Sequence, residues 1–127
     1  MGIEVIQTTL SAVPVGPYSQ GIKAGDFVFV TGELGIDPST GKIVDGGIQA
    51  ETRMVMENIR GILAAVGGNL AQVVSTTVYL ANMDDFGLMN EVYTTYFQKN
   101  PPGRTTVGVA LPLGAAVKIT ATAYIGE

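Results

Sequence analysis

Two stretches of helical periodicity, each followed by a segment of strand-like alternation, constrain the fold of this chain more than any other feature. Apolar residues recur at helical spacing from about residue 48 to residue 66, where Gly67 and Gly68 provide a C-cap signal. A second helix is expected to start at a cap formed by Asp84 or Asp85 and to end before Asn100-Pro101-Pro102. Its apolar stripe consists of Phe86, Met89, Tyr93, Tyr96 and Phe97.

Strand-like segments precede, separate and follow these helices. Residues 21–23 and 27–31 flank a turn and predict a hairpin whose second strand is buried. Residues 105–110 and 117–125 predict the last two strands. The order predicts one α+β domain over residues 1–127, with two helices covering one face of a mixed sheet. Residues 72–80 predict the strand between the helices, alternating Val74, Thr76, Val78 and Leu80 with Ser75, Thr77 and Tyr79.

The face of the sheet that the helices leave open is predicted to be semi-polar. Hydrophobic residues make up 46% of the chain and charged residues only 14%, which is an apolar balance for a single domain. We therefore expect this face to meet another subunit or a ligand rather than bulk water. It is expected to carry Thr77, Tyr79, Lys118, Thr120, Thr122 and Tyr124.

Composition excludes several kinds of chemistry. The chain has no cysteine and no histidine, so it lacks disulfides, thiolate nucleophiles and imidazole or thiolate metal ligands. Eleven acidic and seven basic residues give a net charge of -4 without a basic cluster, which disfavours nucleic acid as a partner. The first residues do not resemble a signal peptide, and no run approaches the ~20 apolar residues of a membrane span. A cytoplasmic protein without a membrane partner is expected.

Arg104 is the candidate site residue that local sequence explains least. Arg53 and Arg60 lie three or four residues from Glu57 on a predicted helix face, where ion pairing accounts for them. Arg104, in "PPGRTTV", has no such neighbour. A planar guanidinium matches the two oxygens of a carboxylate, so Arg104 is a candidate carboxylate clamp. The alternative is a strand-end cation in solvent or a structural ion pair.

Three further positions have both a ligand-binding and a purely structural interpretation. Tyr18, in the stiff loop "VPVGPYSQ", either orients a substrate or water or simply packs. Gly32 either lets a ligand approach backbone N–H groups or marks a bulge or strand end. Asn90, beside an apolar stripe, either serves a ligand or is an ordinary surface amide. "GELGIDPSTG" contains neither a dinucleotide fingerprint nor a P-loop.

Four segments, in this order and spacing, resemble the RidA/YjgF/L-PSP family of reactive-intermediate deaminases over essentially the whole chain. They are "GPYSQ" at 16–20, "TGELG" at 31–35, "MNEVYTTYF" at 89–97 and "PPGRTTVGVALP" at 101–112. The resemblance implies a Bacillus-type chorismate-mutase-like fold that assembles as a homotrimer around a sheet-lined barrel, with clefts between subunits. It also implies hydrolysis of enamines and imines such as 2-aminoacrylate to 2-keto acids and ammonia, without metal or cofactor.

The resemblance also implies roles for particular residues. Arg104 corresponds to the arginine that binds the substrate carboxylate, and Tyr18 to the tyrosine that lines the cleft. Thr31 and Gly32 correspond to ligand contacts through a hydroxyl and the backbone. Asn90 and Phe86 are expected nearby on the second helix.

The sequence departs from the family pattern at three other positions. Thr122 occupies the catalytic position of a glutamate assigned to water activation, and Thr106 replaces a frequent cysteine. Glu33 replaces the usual glutamine and either supplies the missing carboxylate or points away from the cleft. The alternatives to a deaminase are a non-catalytic binder of small carboxylates and, disfavoured by charge and by the absence of histidine, a ribonuclease or translation inhibitor.

Overall fold

The computed structural model describes residues 2–126 as a layer of two helices on a mixed sheet. The helices are α1 (Gly47–Ala64) and α2 (Phe86–Tyr96). The strands are β1 (Ile3–Ile6), β2 (Gly21–Ala24), β3 (Phe27–Leu34), β4 (Ile36–Asp37), β5 (Lys42–Ile43), β6 (Val73–Leu80), β7 (Gly103–Gly108) and β8 (Val117–Tyr124). The predicted α+β class is confirmed.

Six strands form the main sheet in the order β1-β2-β3-β8-β6-β7. Only the edge pair β6 and β7 is parallel, because α2 carries the chain back across the sheet between these two strands. Strands β4 and β5 form a separate hairpin. The α1 helix packs on β3 and β8, and α2 packs against α1.

The sheet has one buried and one open face. Along β8, Val117, Ile119, Ala121 and Ala123 are buried under the helices, and the residues between them face the other side. Strict alternation over eight residues produces this pattern, as the sequence predicted. The open face carries the six expected residues, and it also exposes the rings of Phe27 and Phe29.

Three predictions about the strands differ from the structure. The alternation predicted Val74 on the core side, but it is 48% exposed and Val73 is buried instead, because a bulge between Val73 and Ser75 shifts the register. The hairpin's second strand is not buried throughout, since Phe27 and Phe29 alternate outward. The third difference is a boundary: β7 begins at Gly103 rather than at the predicted Thr105.

Helix termini and polar faces differ from the sequence expectations as well. Neither Asp84 nor Asp85 caps α2 with its side chain; Asn82 instead accepts a hydrogen bond from the Asp84 N–H and caps a short 3-10 turn over Met83–Asp85. Glu57 pairs with Arg60 at 2.8 Å, whereas Arg53 has no ion pair within residues 2–126. No helix in the described part of the chain is long and apolar enough to cross a membrane.

Candidate functional site

Arg104 lies on the edge strand β7, on the side of the sheet that the helices cover. It pairs in register with Thr76 of β6, whose buried hydroxyl lies 2.7 Å from the hydroxyl of Tyr93 in α2. The same Tyr93 presents its ring to the guanidinium, with 4.8 Å between the carbon Cζ of Arg104 and the ring centroid. Tyr93 of α2 therefore contacts both β6, through Thr76, and the guanidinium of Arg104 on β7, and so orients the arginine.

Among the described residues, the groups that hold the guanidinium are neutral. Its Nη1 donates a hydrogen bond of 2.7 Å to Oδ1 of Asn90, and the Phe86 ring lies 5.5 Å from Cζ. No carboxylate within residues 2–126 lies within 4 Å of it. A cation that is oriented by an amide and two aromatic rings keeps donors free for an anion. Arg104 and Asn90 border a surface depression of about 430 Å³ that Tyr93, Thr94 and Phe97 also line.

A second cavity, of about 180 Å³, contains the other expected ligand contacts. Tyr18, Thr31 and Gly32 line it. So do Pro112 and Lys118, which sequence reasoning had not assigned to the site. The structure therefore brings together three of the expected residues and adds a cation to them.

The loop that carries Tyr18 is fixed by backbone and amide contacts. The side chain of Gln20, which is buried, accepts a hydrogen bond of 2.8 Å from the Thr8 N–H and donates to the carbonyls of Thr8 and Ala12. The Tyr18 hydroxyl accepts a hydrogen bond of 3.1 Å from the N–H of Val15. Thr31 donates its hydroxyl proton to the Ser19 carbonyl, so that proton is not free for a ligand.

Glycine at position 32 leaves space for the side chain of Lys118 in the same protomer. It lies in the irregular part of β3 between Val30 and Glu33, so the bulge considered from the sequence is present. A Cβ atom added to Gly32 would lie 2.2 Å from Cε of Lys118. The Nζ of Lys118 lies 5.8 Å from the ring centroid of Tyr79. The lysine stem therefore covers Gly32, and its ammonium lies between β3 and β6.

Glu33 points away from the open face. It pairs with Ile119, which faces the helices, and the Glu33 side chain is only 5% exposed. The buried hydroxyl of Ser11 donates a hydrogen bond of 3.2 Å to its Oε1. Burial raises the pKa of this carboxyl to about 7, with the Ser11 hydrogen bond lowering it by a smaller amount. Glu33 nevertheless lines a small cavity together with Tyr18 and Gly32.

Thr122 and Thr106 lie on opposite faces. Thr122 pairs with Phe29 and Ser75 on the open face, whereas Thr106 pairs with Val78 on the helix side, two residues after Arg104. Within one protomer Thr122 and the arginine are therefore separated by the sheet itself. Lys118 shares the open face with Thr122.

Within one protomer the expected site residues form two separate groups, named here the Arg104 half-site and the Tyr18 half-site. The Arg104 half-site lies on β7 and the Tyr18 half-site on β3, with β8 and β6 between them. Three strand spacings amount to about 14 Å, which exceeds the reach of one small molecule. Each half-site has one cation. No cluster of acidic residues in the described ranges could hold a metal ion.

Comparisons with known proteins identify the family. A family model described as Endoribonuclease L-PSP matches residues 9–125. A RutC family protein of Pyrococcus horikoshii is 51% identical over 122 residues, which cover 95% of this chain and 97% of that protein. The 2-iminobutanoate/2-iminopropanoate deaminase of Mus musculus is 44% identical over 124 residues, covering 97% of this chain and 92% of the mouse protein.

Solved structures of high similarity lead to the same family. RidA from a Psychrobacter species has a TM-score of 0.93 at 40% identity, covering 96% of this chain and 99% of that chain. E. coli TdcF with bound serine has a TM-score of 0.92 at 33% identity, covering 97% of this chain and 99% of that chain. This protein is therefore a member of the Endoribonuclease L-PSP family, and the resemblance of its sequence to RidA proteins is confirmed.

Proposed function

We propose that this protein hydrolyses enamines and imines of 2-amino acids to 2-keto acids and ammonia. The observation that carries the proposal is Arg104, a guanidinium oriented by Asn90, Phe86 and Tyr93 without a carboxylate partner within residues 2–126. Such a group binds the carboxylate that every 2-imino acid has. The mammalian relative named as an iminobutanoate and iminopropanoate deaminase supports the same substrate class.

The complete site in this proposal forms between subunits of a homotrimer. Two observations support an assembly: the half-sites of one protomer lie about three strands apart, and the open face exposes Phe27, Phe29 and Tyr124. A neighbouring subunit that covers the open face would bring its Arg104 to the cavity of Tyr18, Thr31 and Gly32. Each cleft would then contain one half-site from each of two chains.

Positioning accounts for most of the catalysis in such a cleft. The carboxylate bound by Arg104 holds the imine carbon at a fixed place, so that water attacks an oriented substrate rather than a freely diffusing one. Tyr18 and Gly32 line the cavity in which the imine carbon and water would react under this proposal. A threonine hydroxyl at Thr122 orients water by hydrogen bonding but is too weak a base to deprotonate it near neutral pH.

Keto-acid release from an imine generated in situ by an amino-acid oxidase tests the proposal. The protein is expected to accelerate release above the spontaneous rate, and Arg104→Ala is expected to abolish the acceleration. Arg53→Ala is the matched control, because it removes an exposed arginine of α1 that has no ion pair in the described chain. No acceleration by the unmodified protein would contradict the deaminase proposal.

A second candidate is a binder of small carboxylates without turnover, which the threonine at position 122 favours. It predicts that a 2-keto acid such as pyruvate binds and that Arg104→Ala loses this binding while imine hydrolysis stays at the spontaneous rate. Thr122→Glu distinguishes the two candidates. If the wild-type protein does not hydrolyse the imine but Thr122→Glu does, Arg104 already binds the carboxylate and the protein lacks only a base.

A further inference from the structure

We propose that Lys118 is a catalytic residue of this site, the acid that protonates the imine nitrogen as water adds. The inference rests on the proposed deaminase function and assigns the proton donor that this function requires. Lys118 lines the same cavity as Tyr18, Thr31 and Gly32. Hydrolysis of an imine requires a proton on nitrogen, since ammonia leaves and an amide anion does not.

The stem of Lys118 lies across Gly32 on the sheet rather than extending freely into solvent. Its Cε lies where a Cβ of residue 32 would be, so the stem crosses the glycine directly and only glycine leaves room for it. Its Nζ lies 5.8 Å from the Tyr79 ring centroid, and no carboxylate in residues 2–126 lies within 4 Å. Within the described part of the chain the ammonium is not paired with a carboxylate.

The other polar groups that line this cavity, lie behind it or reach it in the proposed cleft are poorer proton donors. Thr31 already donates its hydroxyl proton to the Ser19 carbonyl, and Arg104 cannot release a proton in a protein. Glu33 faces the helix side and accepts from Ser11.

Tyr18 retains a hydroxyl proton, but its loss would create a phenolate anion. Loss of a proton from Lys118 instead leaves a neutral amine, and the formation of new charge in a cavity lined by Val15, Leu34 and Pro112 is costly.

The proton transfers balance over the whole reaction. Water adds through its oxygen to the imine carbon, the C=N π electron pair moves to nitrogen, and nitrogen takes a proton from the Lys118 ammonium. The neutral amine then takes the proton that the added water loses. A second transfer protonates the nitrogen of the carbinolamine, the C–N bond breaks, and the hydroxyl proton returns to Lys118 as the C=O bond forms. The lysine ends in its original state.

Two substitutions separate proton donation from charge. Lys118→Arg keeps the cation but cannot donate a proton, and we expect kcat for the oxidase-generated imine to fall about 100-fold with KM within about twofold. Lys118→Ala is expected to lose activity similarly and to recover part of it when trimethylammonium is added. A tertiary ammonium donates a proton but cannot itself form an imine. Lys42→Met, on the β4–β5 hairpin, is the matched control and is expected to have wild-type kinetics.

Each outcome decides the proposal. Wild-type kcat in Lys118→Arg would show that the side chain acts only through its charge and would overturn it. A loss in Lys118→Ala that trimethylammonium does not restore, with thermal unfolding unchanged, would also overturn it. Restoration that rises with the trimethylammonium concentration in Lys118→Ala but is absent in Lys118→Arg supports it. If the unmodified protein hydrolyses no imine, the proposed function fails rather than this assignment alone.

Discussion

The Arg104 guanidinium and the Asn90 amide are joined by a hydrogen bond of 2.7 Å from Nη1 to Oδ1. The acceptor is neutral, so it orients the arginine without compensating its charge. Asn90 comes from α2 and Arg104 from β7, 14 positions later in the sequence, and the end of the helix lies between them. A carboxylate at position 90 would hold Arg104 in the same orientation but would compete with the ligand for its charge.

Asn90→Asp is therefore expected to weaken carboxylate binding more than Asn90→Ala does. The new carboxylate would pair with Arg104 and compete with the ligand, lowering the affinity for pyruvate at least tenfold, or about 1.4 kcal/mol. The alanine variant should lose only a few-fold, because the cation stays free and the rings of Phe86 and Tyr93 still hold it. Calorimetric titration with pyruvate measures both, and Asn69→Asp controls for the added charge. Equal affinities in the two Asn90 variants would contradict this interpretation.

Gly32→Ala is expected to impair activity through Lys118 rather than through the fold. The added methyl group would meet Cε of Lys118, the far end of a flexible side chain, which can move aside. We expect the free energy of unfolding to change by less than about 1 kcal/mol while kcat falls, because the ammonium is displaced. In a Lys118→Ala background the same substitution should have no further effect on kcat. Additive losses of kcat in the double variant would show that Gly32 acts independently of the lysine.

The raised pKa of Glu33 predicts that the free energy of unfolding falls as pH rises from acid to neutral. Burial raises its pKa from 4.5 to about 7, so between these values the native state binds a proton that the unfolded state releases. The free energy of unfolding is therefore highest below pH 4.5 with respect to this group and falls as pH rises through about 7. The total loss is about 3 kcal/mol, from 1.36 kcal/mol per pH unit.

Glu33→Gln, which stays neutral, is expected to remove this dependence. Urea unfolding at one protein concentration should give similar stabilities for the two proteins at pH 5 and a more stable variant at pH 8. Glu4→Gln, at an exposed position on β1, is the control and should follow the wild type. A variant less stable than the wild type at pH 8 would show that the Glu33 carboxylate is stabilised in its charged form.

Hydrophobic periodicity predicted most of the fold, because buried residues recur every second position along a strand and every three or four positions along a helix. The alternation along β8 holds from Val117 to Tyr124, and the core stripe of α1 includes Val55, Ile59 and Ile62 as expected. Periodicity failed at Val74, where a bulge adds one residue and reverses the face. Side-chain type does not mark that bulge, since the buried Val73 and the exposed Val74 are the same kind of residue.

The candidate site was only partly predictable for a related reason. Arg104, Tyr18 and Gly32 lie in segments with their own sequence signals, whereas Lys118 belongs to the site through the register between β8 and β3. Register depends on pairing across more than 80 residues of chain, which no local pattern specifies. The buried amide of Asn58 was missed likewise: it bonds the carbonyls of Leu34 and Ile36, which only the packed fold brings to it.

The open face provides the last prediction, which concerns assembly. Phe29 is 48% exposed beside Thr122, and its ring lies 6.4 Å from that of Phe27, which in turn lies 5.2 Å from Tyr124. A cluster of three aromatic rings on a sheet face is typical of a surface that another subunit covers. Phe29→Glu would place a charge in this interface and is expected to produce folded monomers.

Sedimentation velocity measures the mass, and far-UV circular dichroism checks the fold. Leu88→Glu is the matched control, because Leu88 is similarly exposed, at 47%, but lies on the helix layer and should leave the assembly intact. The Phe29→Glu monomer should also lose imine hydrolysis while its Arg104 and Tyr18 half-sites stay folded, since neither half-site is complete alone. A monomer that retains wild-type kcat/KM would place the whole site within one chain and would contradict the interface cleft.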